Sequence, residues 1–243
     1  MISYGATDIG RRRKINQDAL FFSDKPVGCF PNLYIVADGM GGHKAGDKAS
    51  SYAVSRFVEL AKTTEKTMPL MVMEKLICQV NKEVYQMSES QEEYAGMGTT
   101  FVAATVIGST VYVMNIGDSR LYYFGEQLKQ VTMDHSLVEE LVRAGELDRE
   151  KSRNHPQKNI ITRAVGVTQT VEPDYFMLEL SEKEEILLCS DGLSNMVEDE
   201  RLEEILAAVD DIKEAVEMCI DEALFYGGSD NIAVIIARCD NGR

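Results

Sequence analysis

Apolar runs in this chain keep meeting aspartate. The run at 33–37 ends on Asp38-Gly39, the run at 111–116 on Gly117-Asp118-Ser119, and the run at 186–189 on Ser190-Asp191-Gly192. The run at 232–237 is entered through Gly228-Ser229-Asp230-Asn231, and a fifth aspartate stands in Asn16-Gln17-Asp18. Four of the five lie where a strand-like run meets a turn. Carboxylates at strand ends can converge on one edge of a sheet. Packed together without a compensating lysine they are costly, and divalent cations held by oxygen relieve that cost. The pattern therefore asks for a fold that gathers strand ends around metal, and for chemistry that needs it.

The rest of the chain supplies strands and helices in blocks. Strands are expected at 33–37, 100–107, 111–116, 121–124, 175–180, 186–189 and 232–237. Gly108-Ser109 looks like a two-residue hairpin with glycine in the first central position, and Gly125-Glu126 like the next turn, so 99–131 reads as an antiparallel meander. Leu70, Met73, Ile77, Val80, Val84 and Met87 step by three and four behind Pro69, the pattern of a helix over 69–88. A helix over 48–62 precedes it, antiparallel to it. Ile212, Val216, Ile220 and Ala223 mark another, stopped at Gly227-Gly228, with a further one at 200–209. Asp134 is a candidate N-cap for a helix over 136–144. With no internal repeat and no Pro/Ser-rich linker, the 243 residues read as one α+β domain, 1–243, of packed sheets covered by helices.

The net charge of −15 argues against a nucleic-acid binder and against docking on anionic membrane. No apolar stretch is long enough for a membrane span, and the N-terminus lacks the features of a signal peptide. The five cysteines are odd in number and contain no C-x-x-C pair, against a disulfide framework or a structural zinc. A cytoplasmic, reducing location follows as an expectation, and with no oligomer signal, a monomer.

Asp38-Gly39-Met40-Gly41-Gly42 is the most telling segment. Glycines let backbone approach an ion or a phosphate and let a carbonyl serve as ligand. A dinucleotide loop is disfavoured, because a carboxylate at its mouth would repel the phosphate unless a cation lay between them.

Eight segments in order now carry a resemblance. They are Asp8-x-Gly10-x-x-Arg13-x-x-Asn16-Gln17-Asp18, Ala37-Asp38-Gly39-Met40-Gly41-Gly42-His43-x-x-Gly46, Gly98-Thr99-Thr100, Asn115-Ile116-Gly117-Asp118-Ser119-Arg120, Asp134-His135-Ser136, Thr162-Arg163-Ala164-x-Gly166, Ser190-Asp191-Gly192-Leu193 and Ser229-Asp230-Asn231. Together they span nearly the whole chain. They resemble the metal-dependent protein phosphatases of the type 2C (PPM) family, in its bacterial Ser/Thr branch.

The resemblance implies a four-layer αββα fold: two antiparallel β-sheets packed as a central sandwich and flanked by pairs of α-helices. It implies hydrolysis of phosphoserine and phosphothreonine on proteins by water activated between two Mn²⁺ or Mg²⁺ ions, with no side-chain nucleophile. Asp38 would bridge the ions, the Gly39 carbonyl, Asp191 and Asp230 would complete their ligands, and Asp18 would act through an intervening water. Asp118, with Asp191, matches the position of a third ion. Arg13 would hold the substrate phosphate, since a guanidinium makes paired hydrogen bonds to phosphate oxygens. Arg11, Arg12 and Lys14 read as a solvated basic loop. Met40 stands where some eukaryotic relatives carry a histidine, so that general acid does not carry over, and His43 is the alternative candidate. His135 is expected to be structural and His155 exposed. Residues 136–166 match the family's flap. The implied partners are phosphoproteins and a cognate bacterial Ser/Thr protein kinase. The rival readings are a phosphatase dedicated to one anti-sigma antagonist, an inactive binding module, and a nuclease or small-molecule phosphatase. The intact Asp38, Asp191 and Asp230 count against the module, and the negative charge against the nuclease.

Overall fold

Side chains alternate across a strand, and in β3 (Leu33–Met40) both sets are buried. Tyr34 and Val36 enter one apolar cluster, while Leu33, Ile35 and Ala37 enter another. The same division holds in β11 (Ile232–Arg238), where Ala233, Ile235 and Ala237 face one way and Ile232, Val234 and Ile236 the other. It holds again in β10 (Glu185–Cys189). Burial on both faces is why these strands are continuous apolar runs instead of alternating ones. The computed structural model in which this is seen describes residues 1–41, 45–65 and 68–239.

Two antiparallel sheets result. One is five-stranded in the order β1 (Ile2–Asp8), β11, β10, β7 (Arg120–Phe124), β8 (Leu128–Gln130). The other runs β2 (Asp18–Ser23), β3, β5 (Phe101–Ile107), β6 (Thr110–Ile116), β9 (Asp174–Glu179), with the short β4 (Gly98–Thr99) against the end of β3. Val102, Val113, Leu121, Leu188 and Ile235 pack between the sheets. Helices α1 (Ala45–Thr63) and α2 (Pro69–Ser90) cover the second sheet, with Phe57 set 6.4 Å from Phe30 and 5.2 Å from Phe101, centroid to centroid. Helices α6 (Asp199–Ala208) and α7 (Ile212–Phe225) cover the first through Leu206, Val216 and Cys219. The four layers are those the resemblance implies.

Local signals set the helix ends. Proline opens α2. The Asp211 carboxylate accepts from the Glu214 N–H at 2.9 Å to cap α7, and the Gly228 N–H returns to the Ala223 carbonyl at 2.9 Å to close it. Tyr52 and Arg56 of α1 both donate to Glu83 of α2, at 2.9 and 2.8 Å, the register of an antiparallel helix pair. Gly108 has φ of +65° in the turn that pairs Ile107 with Thr110, as a tight hairpin requires.

Several expectations are corrected. The stretch 99–131 is not one meander: β5–β6 belongs to one sheet and β7–β8 to the other, and Gly117-Asp118-Ser119 carries the chain across. β3 does not stop at Ala37 but runs through Met40, because β4 pairs with Gly39 and Met40. The cap of α3 (Leu137–Arg143) is Ser136, whose hydroxyl accepts from the Glu139 N–H at 3.2 Å; Asp134 instead accepts from Arg120. The charged stretch after Gly145 holds a short helix, α4 (Arg149–Ser152). β1, β2 and β4 are additional to the expected strands, while β8 is the strand that the turn at Gly125-Glu126 implies.

Phe57 is fully buried among aromatic neighbours. Phe57→Ala is expected to lower stability by about 3–5 kcal/mol, read as a shift in the urea midpoint at unchanged m-value.

Candidate metal centre and active site

Strand pairing alone brings the first two carboxylates together. In the β2–β3 ladder Asp18 lies directly opposite Asp38. Asp118 sits in the crossing from β6 to β7. Asp191 stands one residue, Ser190, beyond the end of β10 and opens the short helix α5 (Asp191–Ser194), and Asp230 leads into β11. All five meet at one end of the sandwich, where Asp38 feels the charges of Asp18, Asp191, Asp118 and Asp230 together.

The electrostatics are those of crowded buried acids. Burial, and then the opposed Asp18, pushes the Asp38 carboxyl well above the usual carboxylate range. Burial pushes Asp18 up to about 7, with Asp191 and Asp230 adding to it against the Ser190 hydrogen bond. Burial and Asp191 raise Asp118, and burial and Asp230 raise Asp191. Two carboxylate oxygens here, Asp18 Oδ1 and Asp191 Oδ1, are buried without a hydrogen-bond partner. Such atoms are rare in folded proteins and call for an explanation. Among the described residues no three His, Cys, Asp or Glu side chains stand as a finished cage. The carboxylates share a neighbourhood, and an all-oxygen set with orphaned acceptors fits a hard divalent cation.

Polar side chains from distant segments hold this arrangement. The Asp38 N–H donates to Thr100 Oγ1 at 2.8 Å, and the Asp38 carbonyl accepts from the Thr99 hydroxyl at 2.9 Å. Thr100 Oγ1 meets Ser119 Oγ at 2.7 Å, tying the Asp38 strand to the Asp118 turn. Ser190 Oγ accepts from the Ala233 N–H at 2.9 Å, so its own proton goes to Asp18 Oδ2 at 2.6 Å. Asn195 Nδ2 donates to Asp191 Oδ2 at 2.8 Å. A Cβ on Gly39 would stand 2.0 Å from the Gly46 carbonyl oxygen, so only glycine lets β3 run this close to the start of α1.

The loop from Ile9 to Gln17 is clamped by Asn231, whose amide donates to the Ile9 and Ile15 carbonyls at 2.9 and 3.1 Å and accepts from the Gln17 N–H at 2.8 Å. From that loop Arg13 reaches in, and its Nη2 donates to Asp230 Oδ2 at 2.6 Å, which raises the guanidinium pKa further. Arg13 thus has a carboxylate partner within the site.

His43 lies outside the described residues, as do Gly42 and Lys44. His135 is buried and structural: Nδ1 accepts from the Gly117 N–H at 3.0 Å, and Nε2 faces Asp174 Oδ2 at 3.2 Å. It locks the turn bearing Asp118 to the base of segment 136–166, which a bridge between Ser136 and Ile161 closes. His155 is half-buried, not exposed, and its Nδ1 accepts from the Gln157 N–H at 3.2 Å. Between segment 136–158 and residues 191–200 runs a cleft of about 470 Å³ with Asp118 and Asp191 among its lining residues, and the Arg153–Glu198 ion pair at 2.8 Å joins its two sides. The sequence reading assigned no role to Thr100, Ser119, Ser190 or Asn231. All four fall inside or beside the quoted motifs, which was the available signal.

Comparison with known proteins agrees with this geometry. The sequence model of the family described as Protein phosphatase 2C matches residues 9–224. The Serine/threonine phosphatase stp of Listeria monocytogenes serotype 4b (strain F2365) is 44% identical over 244 residues, covering 96% of this chain and 94% of that protein. The crystal structure of the Serine/threonine phosphatase Stp1 from Staphylococcus aureus superposes with a TM-score of 0.92 at 32% identity, covering 98% of this chain and 95% of the other. The catalytic domain of the serine threonine protein phosphatase PstP, in complex with 2 manganese ions, superposes with a TM-score of 0.87 at 31% identity, covering 99% and 98%. The chain belongs to the protein phosphatase 2C family, the metal-dependent protein phosphatases, in its bacterial branch.

Acids whose folded-state proton affinity is raised lose stability as pH climbs through and above their unfolded value. In EDTA at pH 7.5, Asp38→Asn is therefore expected to be more stable than wild type, by about 1–2 kcal/mol, seen as a higher melting temperature. A lower one would mean the carboxylates do not repel.

Proposed function

We propose that the protein hydrolyses phosphoserine and phosphothreonine on proteins, using two Mn²⁺ or Mg²⁺ ions with room for a third. The observation that carries this reading is the pair of orphaned, buried oxygens, Asp18 Oδ1 and Asp191 Oδ1, beside a carboxyl at Asp38 that Asp118 and Asp230 crowd as well. Asp38 and the Gly39 carbonyl would hold the ions with Asp191 and Asp230, and Asp118 would join Asp191 at the third. When bound, such ions lower the pKa of water and stabilise charge on the phosphoryl group. The names of the similar Listeria and Staphylococcus phosphatases, and the manganese bound to PstP, support the substrate class and the ion.

The chain's own residues then have separate tasks. Arg13 exchanges its Asp230 partner for the substrate phosphate, whose oxygens its planar fork matches in pairs. Asp18 would reach the ions through an intervening water that hydrogen-bonds to Oδ1, while Ser190 holds the other oxygen of the same carboxylate. His43 is the candidate proton donor to the leaving alkoxide. The domain spans 1–243, works as a monomer in the cytoplasm, and has 136–166 as its flap. A cognate Ser/Thr kinase supplies its substrates and is itself one of them. No helix among the described residues is long and apolar enough to cross a membrane.

Phosphate release from a phosphothreonine peptide is expected with Mn²⁺ and not with EDTA. Asp38→Asn should cut turnover by about 100-fold or more, since a ligand is lost outright and even ligand-supporting residues are worth 10–100-fold. Near-wild-type activity in that variant would sink the assignment. Arg13→Ala should raise KM by roughly 10- to 100-fold, the worth of a charge-assisted hydrogen bond, with a smaller effect on kcat.

A further inference from the structure

Residues 11–14 read Arg-Arg-Arg-Lys, four cations in a row within a chain of net charge −15. Only Arg13 turns to a carboxylate. Arg11, Arg12 and Lys14 are exposed and form no ion pair among the described residues. Exposed cations are usually mobile and simply solvated, but the backbone that carries these is fixed. The Asp8 carboxylate accepts from the Gly10 N–H at 2.7 Å, and the Arg11 N–H donates to the Gly228 carbonyl at 2.7 Å. Asn231 grips the carbonyls of Ile9 and Ile15 on either side. The loop is thereby stitched to the segment that carries Asp230. Three like charges are thus carried on a fixed backbone directly beside Arg13 in the chain, with no carboxylate ion-paired to them among the described residues.

We infer that Arg11, Arg12 and Lys14 form a docking rim that selects phosphorylated segments with acidic residues beside the phosphoresidue. The inference rests on the reading of Arg13 as the phosphate holder. With the phosphate there, an extended peptide advances about 3.4 Å per residue. Its next two or three side chains therefore lie within roughly one Debye length, about 8–10 Å, of the rim. With a net charge of −15 the chain as a whole repels an acidic peptide, and the rim opposes that repulsion beside the residue that holds the phosphate. The competing account is that the cations only offset the five aspartates. In that case they would help every phosphorylated substrate alike.

The test uses three phosphothreonine peptides that differ only in acidic, neutral or basic flanks. Wild type and an Arg11→Ser, Arg12→Ser, Lys14→Ser triple variant are assayed with Mn²⁺ at low and high salt, with circular dichroism to confirm folding. The wild-type kcat/KM should favour the acidic over the neutral flank by about tenfold at low salt, as three exposed charge pairs of ordinary strength would give. That ratio should shrink at high salt and fall to about one in the triple variant. No flank preference in wild type, or a loss of equal factor on all three peptides in the variant, overturns the rim. Fluorescence anisotropy of the same peptides on Asp38→Asn protein separates the two readings. Preferential binding of the acidic peptide without hydrolysis by wild type would sink the enzyme reading alone. Hydrolysis without preference would sink the rim alone.

Discussion

Like charge at one end of the sandwich is the constraint around which the molecule is arranged. Antiparallel pairing sets Asp18 directly across from Asp38, a placement that weakens a ladder. Asp118, Asp191 and Asp230 then crowd in from three other strand ends. The strands do not part because their stability is supplied elsewhere. One apolar layer lies between the sheets and one under each helix pair, so β3, β10 and β11 are buried on both faces along most of their length. The fold tolerates a destabilised end because its middle is packed three layers deep.

The site is also a joint between sheets. Asp18 and Asp38 belong to one sheet, while Asp191 and Asp230 flank strands of the other. Backbone pairing cannot fix their separation, since no ladder crosses the gap. Small polar side chains do so instead. Ser190, beside the first sheet, holds Asp18 of the second, and Thr100 touches Ser119 in the crossing turn. Asn231 gathers the whole Arg13 loop. Each of these contacts is short and oriented, which suits a centre where a displacement of an ångström matters.

Much of this was legible in the sequence, and the gaps have physical causes. Strands buried on both faces read as plain apolar runs, and so β3, β5, β6, β7, β10 and β11 are apparent. β1 and β2 are edge strands, half-exposed, with neither a run nor an alternation to mark them. The hairpin at Gly108 and the sheet crossing at Gly117 look alike locally, because each is a turn between two β-rich runs; only contacts far along the chain tell them apart. The aspartates were visible as a set because an ordered series of motifs carries them. The hydroxyls and the amide that aim them were not, since the partner of Ser190 lies 172 residues away and that of Asn231 more than 200. Asp134 looked like a cap by residue type, and the spatial nearness of Arg120 took it away.

The position of β11 bears on how the protein is made. This strand, which follows all the others in chain order, lies between β1 and β10 in its sheet. It brings with it Asp230 and the amide that clamps the Arg13 loop. A nascent polypeptide can build β2 to β6 of the second sheet and its two helices early, from contacts local to residues 18–116, with β9 added later. Its first and most N-terminal strand must wait for the most C-terminal one. Until β11 has been made the chain can offer neither a closed first sheet nor a full set of carboxylates. A chain made only as far as α7 would have Asp18, Asp38, Asp118 and Asp191 in place and would lack the Asp230 side of the cluster.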